Sequence, residues 1–123
     1  MNNQDWLWVR QDVVLAVHND QIARHGGSEG LRDAGGLESA LAYPHPLAAG
    51  YLFAVAESHA FVDGNKRTAW VTCNIFIEIN GGELAFDKLE AVRFVEGVAG
   101  GAIDYEGARA WIATRLTGGN PQG

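Results

Sequence analysis

Apolar residues recur along this chain at the three-to-four spacing of helices far more often than in the alternation of strands. Over residues 12–25, Val14, Leu15, Val17 and Ile22 form one stripe, with Asp12 as a fair N-cap and Gly26-Gly27 closing the segment. Residues 28–36 are rich in glycine and scattered charge and read as a loop, followed by a short helix through about Ala42. Pro44-His45-Pro46 breaks the chain, and residues 47–58 return to an apolar helical pattern built on Leu52, Phe53, Val55 and Ala56. The next segment, 65–79, is apolar nearly all round, as expected of a central helix wrapped by others, and Asn80-Gly81-Gly82 stops it. Asp87 and Glu90 have the spacing of a capping box, with Phe86 placed to staple to Ala91, for a helix running to about Ala99. Asp104 caps a last helix whose face is Ala108, Trp111, Ile112 and Leu116, and 117–123 reads as a frayed tail. The expected fold is all-α: a compact helical bundle around a central helix at about 65–80, with at most short strands near 6–9 or 82–86.

Composition narrows the function. At 123 residues with no linker, the sequence reads as one domain, 1–123, able to bury about two thirds of the surface its unfolded chain exposes. A net charge of −6, with the few cations not gathered into a face, argues against direct nucleic-acid binding. Cys73 is the single cysteine, so no internal disulfide exists and the chain suits a reducing cytoplasm. No apolar run reaches the roughly 18 residues that a membrane span needs, and no targeting segment is evident. A cytoplasmic protein is therefore expected.

The candidate chemistry lies in His59-Ala60-Phe61-Val62-Asp63-Gly64-Asn65-Lys66-Arg67-Thr68, which leads into the central helix. With Asn65 read as N-cap, Lys66 and Arg67 open the first turn, where the macrodipole disfavours cations by roughly 0.3–1 kcal/mol each. Unpaired N–H groups, a permissive Gly64 and two cations at one helix start make a phosphate site. His59 is the candidate base, because histidine titrates near neutral pH. Asp63 is the hard oxygen ligand that Mg²⁺ prefers. Asn65, Lys66 and Arg67 would hold phosphates, Arg67 through its planar fork. Phe61, between base and metal ligand, would anchor the loop to the core. The spacing of a nucleotide-binding P-loop is absent, as are a second zinc-ligand pair and a serine-hydrolase elbow.

The run from His59 to Ala69 resembles the signature of the Fic/Doc superfamily, and its His-x-Phe-x-Asp-x-Asn-Lys-Arg-Thr-Ala form resembles the death-on-curing (Doc) branch. His18, Gly26-Gly27, Gly30-Leu31-Arg32-Asp33 and Leu37-Glu38-Ser39-Ala40 resemble that branch's first two helices and their connecting loop. The resemblance implies a toxin that transfers the terminal phosphate of ATP, with Mg²⁺, to a Ser/Thr hydroxyl of a protein target, by analogy elongation factor Tu, inhibiting translation. It implies His59 as base, Asp63 on the metal, and Gly64, Asn65, Lys66 and Arg67 around the phosphates. In general Fic proteins a glycine stands at the Lys66 position and a second arginine at that of Trp70. An adenylyltransferase is thus the alternative, and an inactive binding module a third. No segment matches the self-inhibitory [ST]-x-x-x-[ED]-[GN] pattern, so restraint is expected from an antitoxin with a disordered tail, with Trp6, Trp8 and Trp111 as candidate docking surface. The stretch before His59 is short for the family, and a flap loop is expected to be missing near 46–47.

Overall fold

The computed structural model describes residues 7–42 and 48–118. Within them six helices and one two-stranded sheet follow in the order α1 (Gln11–His25), α2 (Ala34–Ala42), α3 (Ala48–Ser58), α4 (Asn65–Ile79), β1 (Gly82–Leu84), α5 (Lys88–Ala99), α6 (Tyr105–Arg115) and β2 (Leu116–Gly118). The bundle is all-α, built around α4 as the sequence predicts. Helix α4 lies against α3 over its length and is flanked by α1, α5 and β1. It buries Thr68, Ala69, Thr72, Cys73, Phe76 and Ile77, while Trp70, Val71 and Ile75 are half-buried and Ile79 reaches solvent.

Aromatic side chains join the helices around α4. Trp70 meets Phe86, Phe94 and Trp111 edge-on, at centroid distances of 5.2, 6.1 and 6.1 Å. Trp111 is stacked on Phe94 at 3.9 Å and lies under the Arg115 guanidinium at 4.0 Å. Its ring is therefore committed to packing α5 against α6, whereas Trp8 is 40% exposed and stacks on Phe76. Trp6 and the expected flap position at 46–47 lie outside the described residues.

Several boundaries differ from expectation, each for a local reason. Helix α1 begins at Gln11 with Arg10 as N-cap, because Val13 and Val14 both donate to the Arg10 carbonyl. The Asp12 carboxylate turns onto the Val13 N–H and the Arg10 guanidinium instead of capping. Leu7 and Trp8 form no strand; Leu7 bonds the Asn80 side chain through both its N–H and its carbonyl, at 2.9 Å each. The second strand takes Thr117 and Gly118 from the expected tail and Leu116 from the expected face of the last helix, which stops at Arg115; Leu84 lies opposite Leu116 and Gly82 opposite Gly118, antiparallel. Asp87 caps α5 by accepting the Glu90 N–H, but the Glu90 carboxylate binds Arg115 at 2.7 Å and does not return to complete a capping box. No helix among the described residues is long and apolar enough to cross a membrane.

Candidate active site at the amino end of α4

The segment between α3 and α4 makes no helix, so its backbone groups need partners elsewhere. Helix α3 ends at Ser58, whose hydroxyl donates to the Val55 carbonyl at 2.8 Å and accepts the Ala60 N–H. His59 then takes a left-handed backbone, φ 47°, a conformation that costs a residue with a Cβ about 1–2 kcal/mol. Residues 60–62 are held by the loop between α1 and α2. Leu31 forms an antiparallel bridge with Phe61, Val62 donates to Gly30, and the backbone N–H groups of Arg32 and Asp33 both donate to the Ala60 carbonyl. Phe61 is buried, stacked flat on His18 at 3.8 Å. His18 in turn lies 2.7 Å from the Asp63 carbonyl, which can only accept, so Nε2 carries the hydrogen. No sequence signal gave His18 a partner; its ligand is a main-chain oxygen 45 positions away.

Asn65 is the first helical residue and not the N-cap. That place belongs to Gly64, which is left-handed at φ 80°. The Asn65 amide reaches back, accepting the Phe61 N–H at 3.1 Å and donating to the Phe61 carbonyl at 2.9 Å. No side chain caps this end of α4. The first bond of the helical ladder is Thr68 N–H to the Gly64 carbonyl, so the N–H groups of Asn65, Lys66 and Arg67 precede it.

Those residues open onto a pocket of about 580 Å³ lined by His59, Asp63, Gly64, Asn65, Lys66 and Arg67, with Glu57 on α3 and Glu96 on α5 across from them. Motif reading missed both glutamates: Glu57 falls two residues before the motif, at the end of α3, and Glu96 comes from a different helix. His59 and Lys66 are exposed, and Arg67 is half-buried with one nitrogen on the Gly26 carbonyl at 3.0 Å. The Asp63 carboxylate is exposed and pinned by backbone, Oδ1 on the Gly64 N–H at 2.8 Å and Oδ2 on the Ser28 N–H at 3.3 Å. These two bonds, with smaller help from the charges of Arg67 and His18, hold its pKa below the usual carboxylate value. An ionised carboxylate with lone pairs to spare suits Mg²⁺, which takes one or two carboxylates and completes its shell with phosphate oxygens and water. No cluster of three or more ligating side chains among the described residues would make a closed cage for another metal.

A second cavity, about 500 Å³, adjoins the first as an apolar groove between α1, α4 and α5. Trp70, Val71, Phe86, Val92 and Val95 line it, His25 and Lys88 stand beside them, and Lys66, Arg67 and Glu96 belong to both cavities.

The helical bundle thus gathers an imidazole, a carboxylate and two cations at an uncapped helix start. Comparison with known proteins identifies the class. The family model described as Fic/DOC family matches residues 43–77. The chain is 37% identical over 119 residues to Toxin Doc of Mycolicibacterium smegmatis, covering 85% of this chain and 88% of the relative. It is 33% identical over 107 residues to Protein kinase doc of Escherichia phage P1, covering 77% and 84%. The chain belongs to the Fic/DOC family, in its Doc branch.

Proposed function

We propose that this protein is a Doc-type toxin that transfers the terminal phosphate of ATP to a serine or threonine hydroxyl of a protein target, by family analogy elongation factor Tu. The observation that carries the reading is one pocket lined by an exposed imidazole, an ionised carboxylate and the free amino end of α4 bearing Lys66 and Arg67. His59 accepts the proton of the target hydroxyl. Its oxygen then bonds the terminal phosphorus while the bond from that phosphorus to the bridging oxygen breaks, and ADP leaves with the electron pair. Lys66 and Arg67, with the helix N–H groups, hold the phosphates in line. Mg²⁺ held by Asp63 would spread the phosphate charge. The Asn65 side chain is occupied with Phe61, so this residue serves the phosphates through its backbone N–H.

Kinase chemistry is favoured over adenylyl transfer by the fate of Trp70. Where general Fic proteins grip outer phosphates with a second arginine, this side chain is packed among Phe86, Phe94 and Trp111. The named relatives, a toxin and a protein kinase, support the same choice. An antitoxin partner follows from the toxin reading, and the apolar groove with Lys66, Arg67 and Lys88 along it fits an amphipathic acidic segment better than do Trp8 and the packed Trp111.

The test is a pair of reactions with elongation factor Tu and ATP labelled at the terminal or the inner phosphate. Terminal label should appear on the target and be lost in His59→Ala, by roughly 10²–10⁴-fold in rate for loss of a general base. Inner label on the target would establish adenylyl transfer instead. Transfer of neither label, with growth unaffected by expression, would leave a binding module.

A further inference from the structure

We propose that Arg32 is a positioning residue for His59, holding its backbone left-handed so that the imidazole stays in the pocket; this rests on the reading of His59 as the base. A residue with a Cβ at φ 47° relaxes unless the peptides on both sides are held. On the amino side His59 follows directly on Ser58, the last residue of α3, and the Ser58 hydroxyl takes the Ala60 N–H of the peptide beyond His59 at 3.3 Å. On the carboxyl side one residue does most of the holding. The Arg32 guanidinium donates from Nη2 to the His59 carbonyl at 3.0 Å, and the Arg32 backbone N–H, joined by that of Asp33 at 2.9 Å, donates to the next carbonyl, Ala60. Side chain and main chain of Arg32 thus grip two consecutive carbonyls.

The grip is firmly mounted. Asp33 caps α2, its carboxylate accepting the Gly36 N–H at 2.8 Å and its carbonyl the Leu37 N–H at 3.1 Å. Leu37 is wholly buried, and on the other side Leu31 is bridged to Phe61. Arg32 is not among the residues lining the pocket, so it is placed to act through His59 and not on phosphate. Nor is it in an ion pair with any described carboxylate.

Arg32→Ala and Arg32→Lys are compared with the parent and with His59→Ala in transfer of terminal phosphate to elongation factor Tu, at saturating ATP and target. The ¹³Cα and ¹³Cβ shifts of His59, which report its φ, are read on the same proteins. Arg32→Ala should lower kcat by about ten- to a hundredfold, the scale of an ångström of misplacement, with KM for ATP and the unfolding midpoint unchanged. Its His59 shifts should move toward ordinary backbone values. Arg32→Lys, which keeps one donor, should recover part of the rate, and millimolar guanidinium should partly rescue Arg32→Ala. Unchanged His59 shifts, or a kcat equal to the parent's while His59→Ala is inactive, would overturn the proposal and leave the base assignment standing. Full transfer by His59→Ala would instead overturn the base assignment, and with it any catalytic role for Arg32.

Discussion

Two neighbouring glycines at the end of α1 offer a controlled test of how the site is assembled. Both have a positive φ, Gly26 at 79° and Gly27 at 117°, so alanine at either position carries a backbone penalty of about 1–3 kcal/mol. Their surroundings differ. A Cβ on Gly26 would meet nothing within 4 Å, whereas one on Gly27 would lie 2.7 Å from Asp63 Oδ2 and 3.1 Å from Ile22 Cδ1. The carboxylate must swing aside, abandoning the Ser28 N–H that helps keep it ionised. Gly26→Ala should therefore lower the melting temperature by roughly 4 °C for each kcal/mol of backbone cost, and Gly27→Ala should lower it further. Only Gly27→Ala should raise the midpoint of the Asp63 carboxyl titration, followed by its ¹³Cγ resonance, toward the usual aspartate value. Equal melting losses with an unmoved Asp63 titration in both variants would refute the claim that the close approach of Gly27 shapes this carboxylate.

Asn65→Ala removes both amide bonds to Phe61 and should cost about 1–3 kcal/mol in urea unfolding, at about 0.5–1.5 kcal/mol per hydrogen bond. A fully stable Asn65→Ala would mean those contacts are incidental. Burial pushes the Cys73 thiol up to about 12, so the folded protein should resist a thiol reagent at pH 8 and react promptly in denaturant; fast modification of folded protein would contradict the packing of α4. The hydrogen bond from Arg115 holds Glu90 below its ordinary 4.5, so the pair's contribution is complete above that value and fades as pH falls through the lower folded value. Glu90→Gln should accordingly flatten the loss of stability on acidification, measured as urea midpoints across a pH series; an unchanged slope would count against the pair.

Much of this was legible in the sequence, because the relevant signals are local. The apolar helical pattern running through residues 69–79 placed the start of α4 to within one residue, and Asp87 and Asp104 were readable as caps from their spacing alone. Asn65 itself was misjudged as the cap. The same short amide that favours capping can turn backward when a left-handed glycine precedes it, and spacing does not tell the two apart. Strand β2 was invisible, since three residues show no periodicity and its partner lies at Gly82–Leu84. The loop around Arg32 resembled a family feature but had no physical role to assign, because its partners are carbonyls 27 or more positions away. Ser28 and Glu96 were missed, and His18 was left without a partner, for the same reason: each is defined by what the fold brings beside it.

Lys66 and Arg67, with Glu96, line both the pocket and the apolar groove. Whatever negative charge settles on one side spends part of the positive potential available to the other, so the two cavities must compete. Under the proposed function the antagonism is reciprocal by thermodynamic necessity: a guest in the groove would weaken nucleotide binding by the factor with which the nucleotide would weaken the guest. On that reading inhibition would need no moving part, only an acidic neighbour on the far side of the two shared cations.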